Sequence, residues 1–345
     1  MKWIKVIAIN AGILCLCLGM IEAVLHFMPI KYKILPPLEP RGYAVYDPEM
    51  GYDIKTNFPT TTSSFYDLSY EVSSNELGCF DYPYLGEGPY IYLTGDSFAW
   101  GWTPLYEKWG KVIEKETGIR TLTCGVNGFG TKQELLKAKK ILSSLKNTPK
   151  VIVVGYLGAN DVDDDALFPN YTVENGYRVR SDNLSRKTGA ALAFKQWLSA
   201  DVILYNLVKN KVYPSVRTMF RPETTQSAPV SLEAVVEGDA YKSHIQNVLG
   251  FKKLAQDTGA KLLFVLIPSK NELIEGKTSW NDALKSHLDQ HSIAYIDLFA
   301  DVSAAYQAGE KLYWEYDGHW NQNGNKLAGE LVTKALRSKE MIRSY

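Results

Sequence analysis

Residues 91–101 read IYLTGDSFAWG, and this short stretch determines how the rest of the chain is interpreted. An apolar run that starts at Ile91 ends abruptly in Gly95, Asp96 and Ser97, and a helical pattern follows. The run predicts a buried strand that turns directly into a helix. Serine after a strand is a common helix N-cap, and many hydrolases place a nucleophile at such a turn. The junction alone leaves both interpretations open.

Similar apolar runs recur along the chain and alternate with helical patterns. The predicted strands are 90–96, 120–125, 150–156, 261–267 and 292–298. Because these runs are continuously apolar, both faces of each strand should be buried, as in a parallel sheet. The helical patterns cover 105–118, 132–147, 241–259 and 321–341. This order predicts an α/β fold within residues 89–345, with a doubly wound, mostly parallel sheet.

The N-terminal segment has a different composition. Residues 3–28 form an apolar run whose core of about 20 residues can cross a hydrocarbon layer of about 30 Å. Lys2 and Lys5 precede the run, which favours a cytoplasmic N-terminus. A cleaved signal peptide is the alternative, but the run does not end in an A-x-A-like site. We therefore expect residues 1–28 to be a transmembrane anchor and the rest to be periplasmic or extracellular, although Glu22 is costly inside a membrane.

Two further segments interrupt the alternation. Residues 29–88 are rich in Pro, Tyr, Thr, Ser and Asp, which predicts an extended spacer and short strands that pack on the core. Residues 162–238 form an insertion of more than seventy residues. Within it, the Asn-Gly pair of 171–181 indicates a hairpin, and 191–213 indicates one or two helices. An insertion beside the carboxyl ends of the strands is where ligand selectivity is expected.

Polar motifs follow the first three predicted strands and precede the last helix. They are GDS at 95–97, CGVNGFGT at 124–131, LGAND at 157–161 and YDGHWN at 316–321. Each has a structural explanation of its own: a cap, a tight turn, a turn closure, or packing of His319 against Trp320. The ligand site of an open α/β sheet lies outside the carboxyl ends of its strands, where all four motifs should converge. Their convergence favours a catalytic site.

The converging side chains meet the requirements of acyl transfer. A serine hydroxyl such as Ser97 needs a base within hydrogen-bond reach. His319 is the histidine that a loop before the last helix would deliver to this edge, and Asp317 can fix its tautomer. The N–H groups of Ser97 and Gly128 and the amide of Asn160 can stabilise the oxyanion. Asp96 is expected to shape the turn.

The four motifs resemble those of SGNH (GDSL-type) hydrolases. The matching stretches are GDSFAWG, GVNGFGTKQE, GAND and DGHWNQNGN, in that family's order over residues 95–325. The resemblance implies a flavodoxin-like three-layer sandwich, with Ser97 as nucleophile, Gly128 and Asn160 in the oxyanion hole, and His319 as base. The anchor, the stretch 46–57 and the long insertion look like membrane-anchored bacterial members of the family.

One feature departs from the common family pattern. The acid and base are spaced as Asp-x-His, from Asp317 to His319, where many members have Asp-x-x-His. This spacing resembles the DxHW form of SGNH-like polysaccharide O-acetyltransferases. It leaves Glu315 as a second candidate for the acid.

These patterns predict a serine esterase or acyl hydrolase that acts through an acyl-enzyme. The expected substrate is an O-acyl ester, in particular an acetyl ester, of a cell-envelope glycan or lipid. One alternative is an envelope polysaccharide O-acetyltransferase, and another is a non-catalytic glycan-binding or scaffold protein that retains the fold. We expect no cofactor. The formal net charge of zero gives no basic footprint for nucleic acid. The membrane is the expected partner of the N-terminal helix.

Two further groups of residues have open interpretations. Asp161 and Asp163–Asp165 form an acidic run that we interpret as a solvated loop, because no His or Cys ligand spacing accompanies it. Cys79 precedes the first strand, and Cys124 leads into the glycine-rich turn. In an oxidising compartment they are candidates for one disulfide that pins the N-terminal region to this turn. The alternative is two buried free thiols.

Overall fold

The computed structural model describes residues 2–28, 39–65, 68–86, 88–181, 190–209, 238–277, 279–315 and 317–342. The predicted spacer over 29–38, the end of the helical pattern 191–213 from residue 210 onward, and the following residues of the insertion up to 237 lie outside the described residues. The chain divides into two units. One comprises Met1–Leu38 and Ser185–Pro229, and the other comprises Glu39–Leu184 and Val230–Tyr345. The long insertion therefore contributes to both units.

The described helices and strands follow one another along the chain. The first part contains α1 (Lys2–His26), β1 (Ala44–Val45), β2 (Asp53–Ile54), β3 (Thr61–Phe65), β4 (Leu68–Val72), β5 (Tyr90–Gly95), α2 (Ser97–Trp100), a 3₁₀ turn (Leu105–Glu107), α3 (Trp109–Thr117), β6 (Arg120–Thr123), α4 (Thr131–Ser144), β7 (Val151–Tyr156) and α5 (Gly158–Ala166). The second part contains β8 (Tyr171–Glu174), β9 (Tyr177–Arg180), α6 (Ala190–Asp201), α7 (Ile203–Leu207), α8 (Asp239–Thr258), β10 (Lys261–Leu266), α9 (Lys270–Glu275), α10 (Ser279–Gln290), β11 (Ala294–Asp297), α11 (Phe299–Gln307) and α12 (Gln322–Ser338).

The central sheet has five strands in the order β11-β10-β7-β5-β6. All four pairings are parallel, and their registers include Leu93 with Val153 and Phe264 with Val154. Taken in chain order, the five strands are arranged 2-1-3-4-5, the flavodoxin-like doubly wound order. The predicted fold class is confirmed. Every residue of β5 and of β7 is buried, as their continuous apolar pattern required.

Helices cover both faces of this sheet. Along β5 the side chains alternate, so that Tyr92 joins the core under α4, α8 and α10 while Leu93 joins the core under α3, α11 and α12. Each strand therefore supplies apolar side chains to two separate cores. The two cores hold the carboxyl ends of β5, β6 and β7 at one edge of the sheet.

A third apolar cluster lies over the turns that follow β5 and β6. Tyr43 and Tyr52 immediately precede the antiparallel strands β1 and β2, and Phe65 ends β3, which pairs with β4. These three side chains pack against Trp100, Trp102 and Phe129. In this region Cys79 and Cys124 are buried and joined by a disulfide, with their Cα atoms 4.5 Å apart. The segment before β5 therefore packs directly on the glycine-rich turn.

The unit formed by α1 and the later part of the insertion contains the apolar N-terminal helix. Among the described residues, Trp3–His26 is the one helix long and apolar enough to cross a membrane, with a mean hydropathy of 2.2. Glu22 accepts hydrogen bonds from the backbone N–H groups of Ile203, at 2.7 Å, and Leu204, at 2.8 Å. These are the first residues of α7, so the carboxylate satisfies backbone donors that a helix start leaves unpaired. This contact offsets the cost of an acidic side chain in the apolar run.

The acidic run after β7 differs from its prediction as a solvated loop. It lies in α5, where Asp161 is fully buried and accepts a hydrogen bond from the N–H of Leu157 at 3.0 Å. Asp165 accepts hydrogen bonds from His244 and Asn247. The loop interpretation was wrong because the run is helical and, in tertiary contacts, side chains of α8 bind Asp165 and the Asn170 amide binds Asp164. No cluster of metal-ligating side chains occurs in the part of the chain that the structure describes.

Candidate active site

Ser97 is the first residue of α2, immediately after β5. Asp96 is the N-cap, and its Oδ1 accepts a hydrogen bond from the N–H of Phe98 at 2.8 Å. Gly95 has a φ of 148°, and a Cβ atom there would lie 2.8 Å from Cβ of Ala99 and 2.9 Å from the carbonyl oxygen of Gly155. Glycine therefore lets α2 begin close against β7. The capping role that serine alone suggests belongs to Asp96, and the Ser97 hydroxyl, which lies 3.4 Å from Asp96 Oδ2, caps no backbone N–H of the described residues.

The Ser97 hydroxyl and the side chains of His319 and Asp317 form a hydrogen-bonded chain. The distance from Ser97 Oγ to His319 Nε2 is 2.8 Å, and that from His319 Nδ1 to Asp317 Oδ1 is 2.5 Å. The same Oδ1 accepts the backbone N–H of His319 at 2.7 Å. Burial raises the pKa of Asp317, but the hydrogen bonds from His319 outweigh it and lower that pKa below its ordinary value. An ionised Asp317 holds Nδ1 protonated and Nε2 free to accept the Ser97 proton.

The loop that carries His319 is fixed from several sides. Lys270, the first residue of α9, donates hydrogen bonds to the carbonyl oxygens of Trp314 at 2.8 Å and of Glu315 at 3.1 Å. The N–H of Trp314 donates to the carbonyl of His319 at 3.0 Å. The side chain of Glu315 is exposed, and the geometry pairs Asp317 with His319. The Asp-x-His spacing therefore places its carboxylate within reach of Nδ1.

The proposed oxyanion donors follow the carboxyl ends of adjacent strands. Gly128 lies in the turn between β6 and α4 with a φ of 81°, and Asn160 lies in the first turn of α5 after β7. The Asn160 amide donates a hydrogen bond to Asp96 Oδ2 at 3.3 Å. Burial raises the pKa of Asp96, although the hydrogen bond from Phe98 opposes that shift. Asp96 thus connects the turn that bears Ser97 with Asn160.

Aromatic rings flank the imidazole of His319. The ring centroid of His319 lies 5.2 Å from that of Phe98 and 6.1 Å from that of Trp102. Trp102 stacks on Phe65 at 4.8 Å, and Phe65 lies 5.4 Å from Trp314. Phe65, Phe98 and Trp102 are buried, so these rings pack against one side of His319 as part of the core and restrict where its imidazole can lie.

Several residues that support the site carry no motif in the sequence. Lys270 holds the histidine loop, and Tyr52, Arg178 and Asn170 donate hydrogen bonds to carbonyl oxygens of the turn at Gly128. The Asn-Gly signal identified the hairpin β8–β9, and Asn175 and Gly176 have φ values of 51° and 80° there. It could not show that this hairpin reaches the glycine-rich turn.

Comparisons with known proteins found similarity among solved structures. No family model and no curated protein matches the chain. A member of the lipolytic G-D-S-L family from Veillonella parvula is 14% identical with a TM-score of 0.40, covering 72% of this chain and 97% of that one. A lipase/acylhydrolase from Enterococcus faecalis is 12% identical, with a TM-score of 0.41 and coverage of 73% and 97%. A psychrotrophic esterase from Pseudoalteromonas sp. is 11% identical, with a TM-score of 0.39 and coverage of 73% and 99%. The function is therefore inferred from the site itself.

Proposed function

We propose that the protein is a serine esterase or acyl hydrolase whose nucleophile is Ser97. The observation that carries this proposal is the continuous hydrogen-bonded chain from Ser97 Oγ through His319 to Asp317, with distances of 2.8 Å and 2.5 Å. A nucleophile within hydrogen-bond reach of a base, itself oriented by a third group, is the arrangement that acyl transfer requires. The proposed oxyanion donors of Ser97, Gly128 and Asn160 complete it.

The reaction proceeds in two steps, acylation of Ser97 and hydrolysis of the acyl-enzyme. Ser97 Oγ bonds to the ester carbonyl carbon while its proton passes to His319 Nε2, and the carbonyl oxygen becomes an oxyanion. The intermediate expels the alcohol, which takes the proton from Nε2 and leaves an acyl group on Ser97. Water then attacks this acyl group with His319 as base, releases the carboxylic acid and restores the Ser97 hydroxyl. Asp317 stabilises the imidazolium in both steps.

The proposed substrate is an O-acyl ester, in particular an acetyl ester, of a cell-envelope glycan or lipid. The apolar helix α1 supports this class, because it would anchor the protein at a membrane with its catalytic unit on the periplasmic or outer side. Protease protection of the full chain in spheroplasts would test the orientation.

A fluorophosphonate probe tests the nucleophile. The detergent-solubilised full chain should be labelled at Ser97, with the modified residue located by mass spectrometry. His319→Ala should abolish labelling, whereas His291→Ala serves as a control, since His291 lies in the turn before β11 at the opposite end of the strands. A folded wild-type chain that is not labelled would contradict the proposal and leave the glycan-binding or scaffold interpretation.

A second candidate is transfer of the acyl group to a glycan hydroxyl. The observation in its favour is the Asp-x-His-Trp sequence, in which Trp320 is buried and packs edge-on against Phe98 at 4.9 Å. In this case the sugar hydroxyl replaces water in the second step. Isotope from a labelled acetyl donor would appear on an added polysaccharide acceptor rather than as free acetate.

A further inference from the structure

The turn that carries Gly128 is held from outside by three polar side chains. The carbonyl oxygen of Asn127 accepts hydrogen bonds from the Tyr52 hydroxyl, at 2.7 Å, and from the Arg178 guanidinium. The next carbonyl, that of Gly128, accepts a hydrogen bond from the Asn170 amide at 3.3 Å. Two consecutive carbonyls of the proposed oxyanion turn are therefore fixed by donors from distant segments.

The hydrogen bonds to the Asn127 carbonyl also determine the direction of the Gly128 N–H. In a trans peptide the C=O and N–H bonds are coplanar and point in opposite directions. The carbonyl of Asn127 and the N–H of Gly128 belong to one peptide unit. Two donors on the carbonyl therefore direct the N–H away from Tyr52 and Arg178. No acceptor among the described residues takes this N–H.

Arg178 also acts through its charge. A hydrogen bond from a guanidinium is stronger than a neutral one and polarises the amide that accepts it. The polarised N–H of Gly128 is then a better donor to an oxyanion. Arg178 packs directly behind the turn, since a Cβ atom on Gly128 would lie 2.4 Å from its Nη1.

The position of Arg178 is itself well defined. Its guanidinium carbon lies 4.7 Å from the ring centroid of Tyr171 and 5.4 Å from that of Tyr52, within cation–π range. The Tyr52 hydroxyl accepts a hydrogen bond from Arg178 at 3.2 Å and donates to the same carbonyl of Asn127. Arg178, from the hairpin β8–β9, and Tyr52, from the segment before β3, therefore both bind the peptide unit between Asn127 and Gly128.

We propose that Arg178 and Tyr52 are positioning residues that aim the Gly128 N–H at the oxyanion, an inference that rests on the esterase function proposed above. It assigns a role in transition-state stabilisation to the first part of the long insertion. Asn170 supports the same turn through the next carbonyl, and its amide also donates to Asp164 Oδ1 at 2.7 Å.

The test is steady-state hydrolysis of p-nitrophenyl acetate by the detergent-solubilised full chain. Loss of one oxyanion donor typically costs about 10²–10³ in kcat, and misdirection of a donor should cost about 10- to 100-fold. We therefore expect Arg178→Met to lower kcat by about 10- to 100-fold with KM within about twofold. Binding of phenylboronic acid, whose tetrahedral adduct carries an oxyanion-like oxygen, should weaken in parallel. The pH midpoint of kcat should stay at the wild-type value, because Arg178 does not touch His319.

Arg180→Met is the matched control. Arg180 lies two residues further along β9, is exposed, and has its guanidinium carbon 5.9 Å from the same Tyr171 ring. The Arg180→Met variant removes one positive charge from the same hairpin, as Arg178→Met does, and should retain wild-type kcat. Equal kcat values for Arg178→Met and Arg180→Met would overturn the proposal. A loss confined to KM would overturn it as well.

If Arg178→Met does not fold, Tyr52→Phe provides a second test of the same proposal. This variant keeps the ring that packs edge-on against Phe129 at 5.1 Å and removes only the hydroxyl. It should lower kcat and boronate binding by about threefold to tenfold, the range of one neutral hydrogen bond. Unchanged values for Tyr52→Phe would refute the role of the carbonyl contacts. If the wild-type chain is neither labelled by fluorophosphonate nor active, the esterase function fails instead.

Discussion

Replacement of Asp317 by Asn separates the charge of the acid from its geometry. Asp317 Oδ1 accepts two hydrogen bonds from His319, one from Nδ1 and one from the backbone N–H. An Asn side chain can present its Oδ1 to the same two donors, so the local turn should persist. The variant loses the negative charge beside the imidazolium that forms when Ser97 gives up its proton.

The expected loss follows from the separation of the two charges. The carboxylate and the imidazolium ring are centred about 4 Å apart, which corresponds to about 4 kcal/mol at an effective dielectric constant near 20. That constant suits this site, because the Asp317 side chain is 19% exposed. A difference of about 4 kcal/mol in the barrier lowers kcat about 10³-fold. Asp317→Ala also removes both hydrogen bonds and should lose about tenfold more.

The assay is kcat for p-nitrophenyl acetate, with the rate of fluorophosphonate labelling as an independent measure of Ser97 reactivity. Glu315→Gln is the control, because its side chain is exposed and its backbone carbonyl, which Lys270 binds, is retained. It should stay within about twofold of wild type. A loss below tenfold for Asp317→Asn, or a larger loss for Glu315→Gln, would refute the assignment of Asp317 as the acid.

Three further changes probe stability. The double variant Cys79→Ala, Cys124→Ala lacks a disulfide that spans 45 residues. Its free energy of unfolding, measured by urea denaturation, should be lower by about 4 kcal/mol. If Cys79 and Cys124 react with a thiol reagent in the denatured, unreduced wild type, the pairing is contradicted. Burial raises the pKa of Asp164 from 3.8 to about 6, so the folded state binds this proton more tightly than the unfolded state. The stability that this group contributes is fully present below about pH 4 and is lost as the pH rises to about 6. In Asp164→Asn, Tm should therefore change less between about pH 4 and pH 6 than it does in the wild type. Gly95→Ala places a methyl group 2.8 Å from Cβ of Ala99 and should destabilise by about 1–3 kcal/mol, seen as a lower Tm; an unchanged Tm would show that α2 can shift.

The sheet was predictable because its determinants are local. Continuous apolar runs, such as the one that ends at Gly95, mark strands buried on two faces, and each predicted strand lies within about two residues of the observed one. The convergence of Ser97, Gly128, Asn160 and His319 also follows from topology. Carboxyl ends of parallel strands meet at one edge, whatever the side-chain details.

The supporting contacts were not predictable, because each joins segments far apart in sequence. Tyr52 and Asn127 are 75 residues apart, and Arg178 and Asn127 are 51 apart, yet all three meet at one carbonyl. Neither tyrosine nor arginine carries a local signal for such a contact. The acidic run of α5 failed as a predicted loop for the same reason, since Asp165 is satisfied by side chains of α8.

Buried carboxyl groups lie near the turn that carries Ser97, and their charge state bears on the proposed oxyanion hole. Glu134 and Asp161 are fully buried in the first turns of α4 and α5, and burial raises the pKa of each well above its ordinary value. Ionised carboxylates near Asp96 would repel the negative charge that develops on the substrate. Their raised pKa values disfavour that ionisation, and the Arg178 guanidinium supplies positive charge behind Gly128. If the site stabilises an oxyanion as proposed, the Arg178 guanidinium contributes positive charge through the peptide unit whose carbonyl it binds, which is why loss of this arginine should appear in kcat.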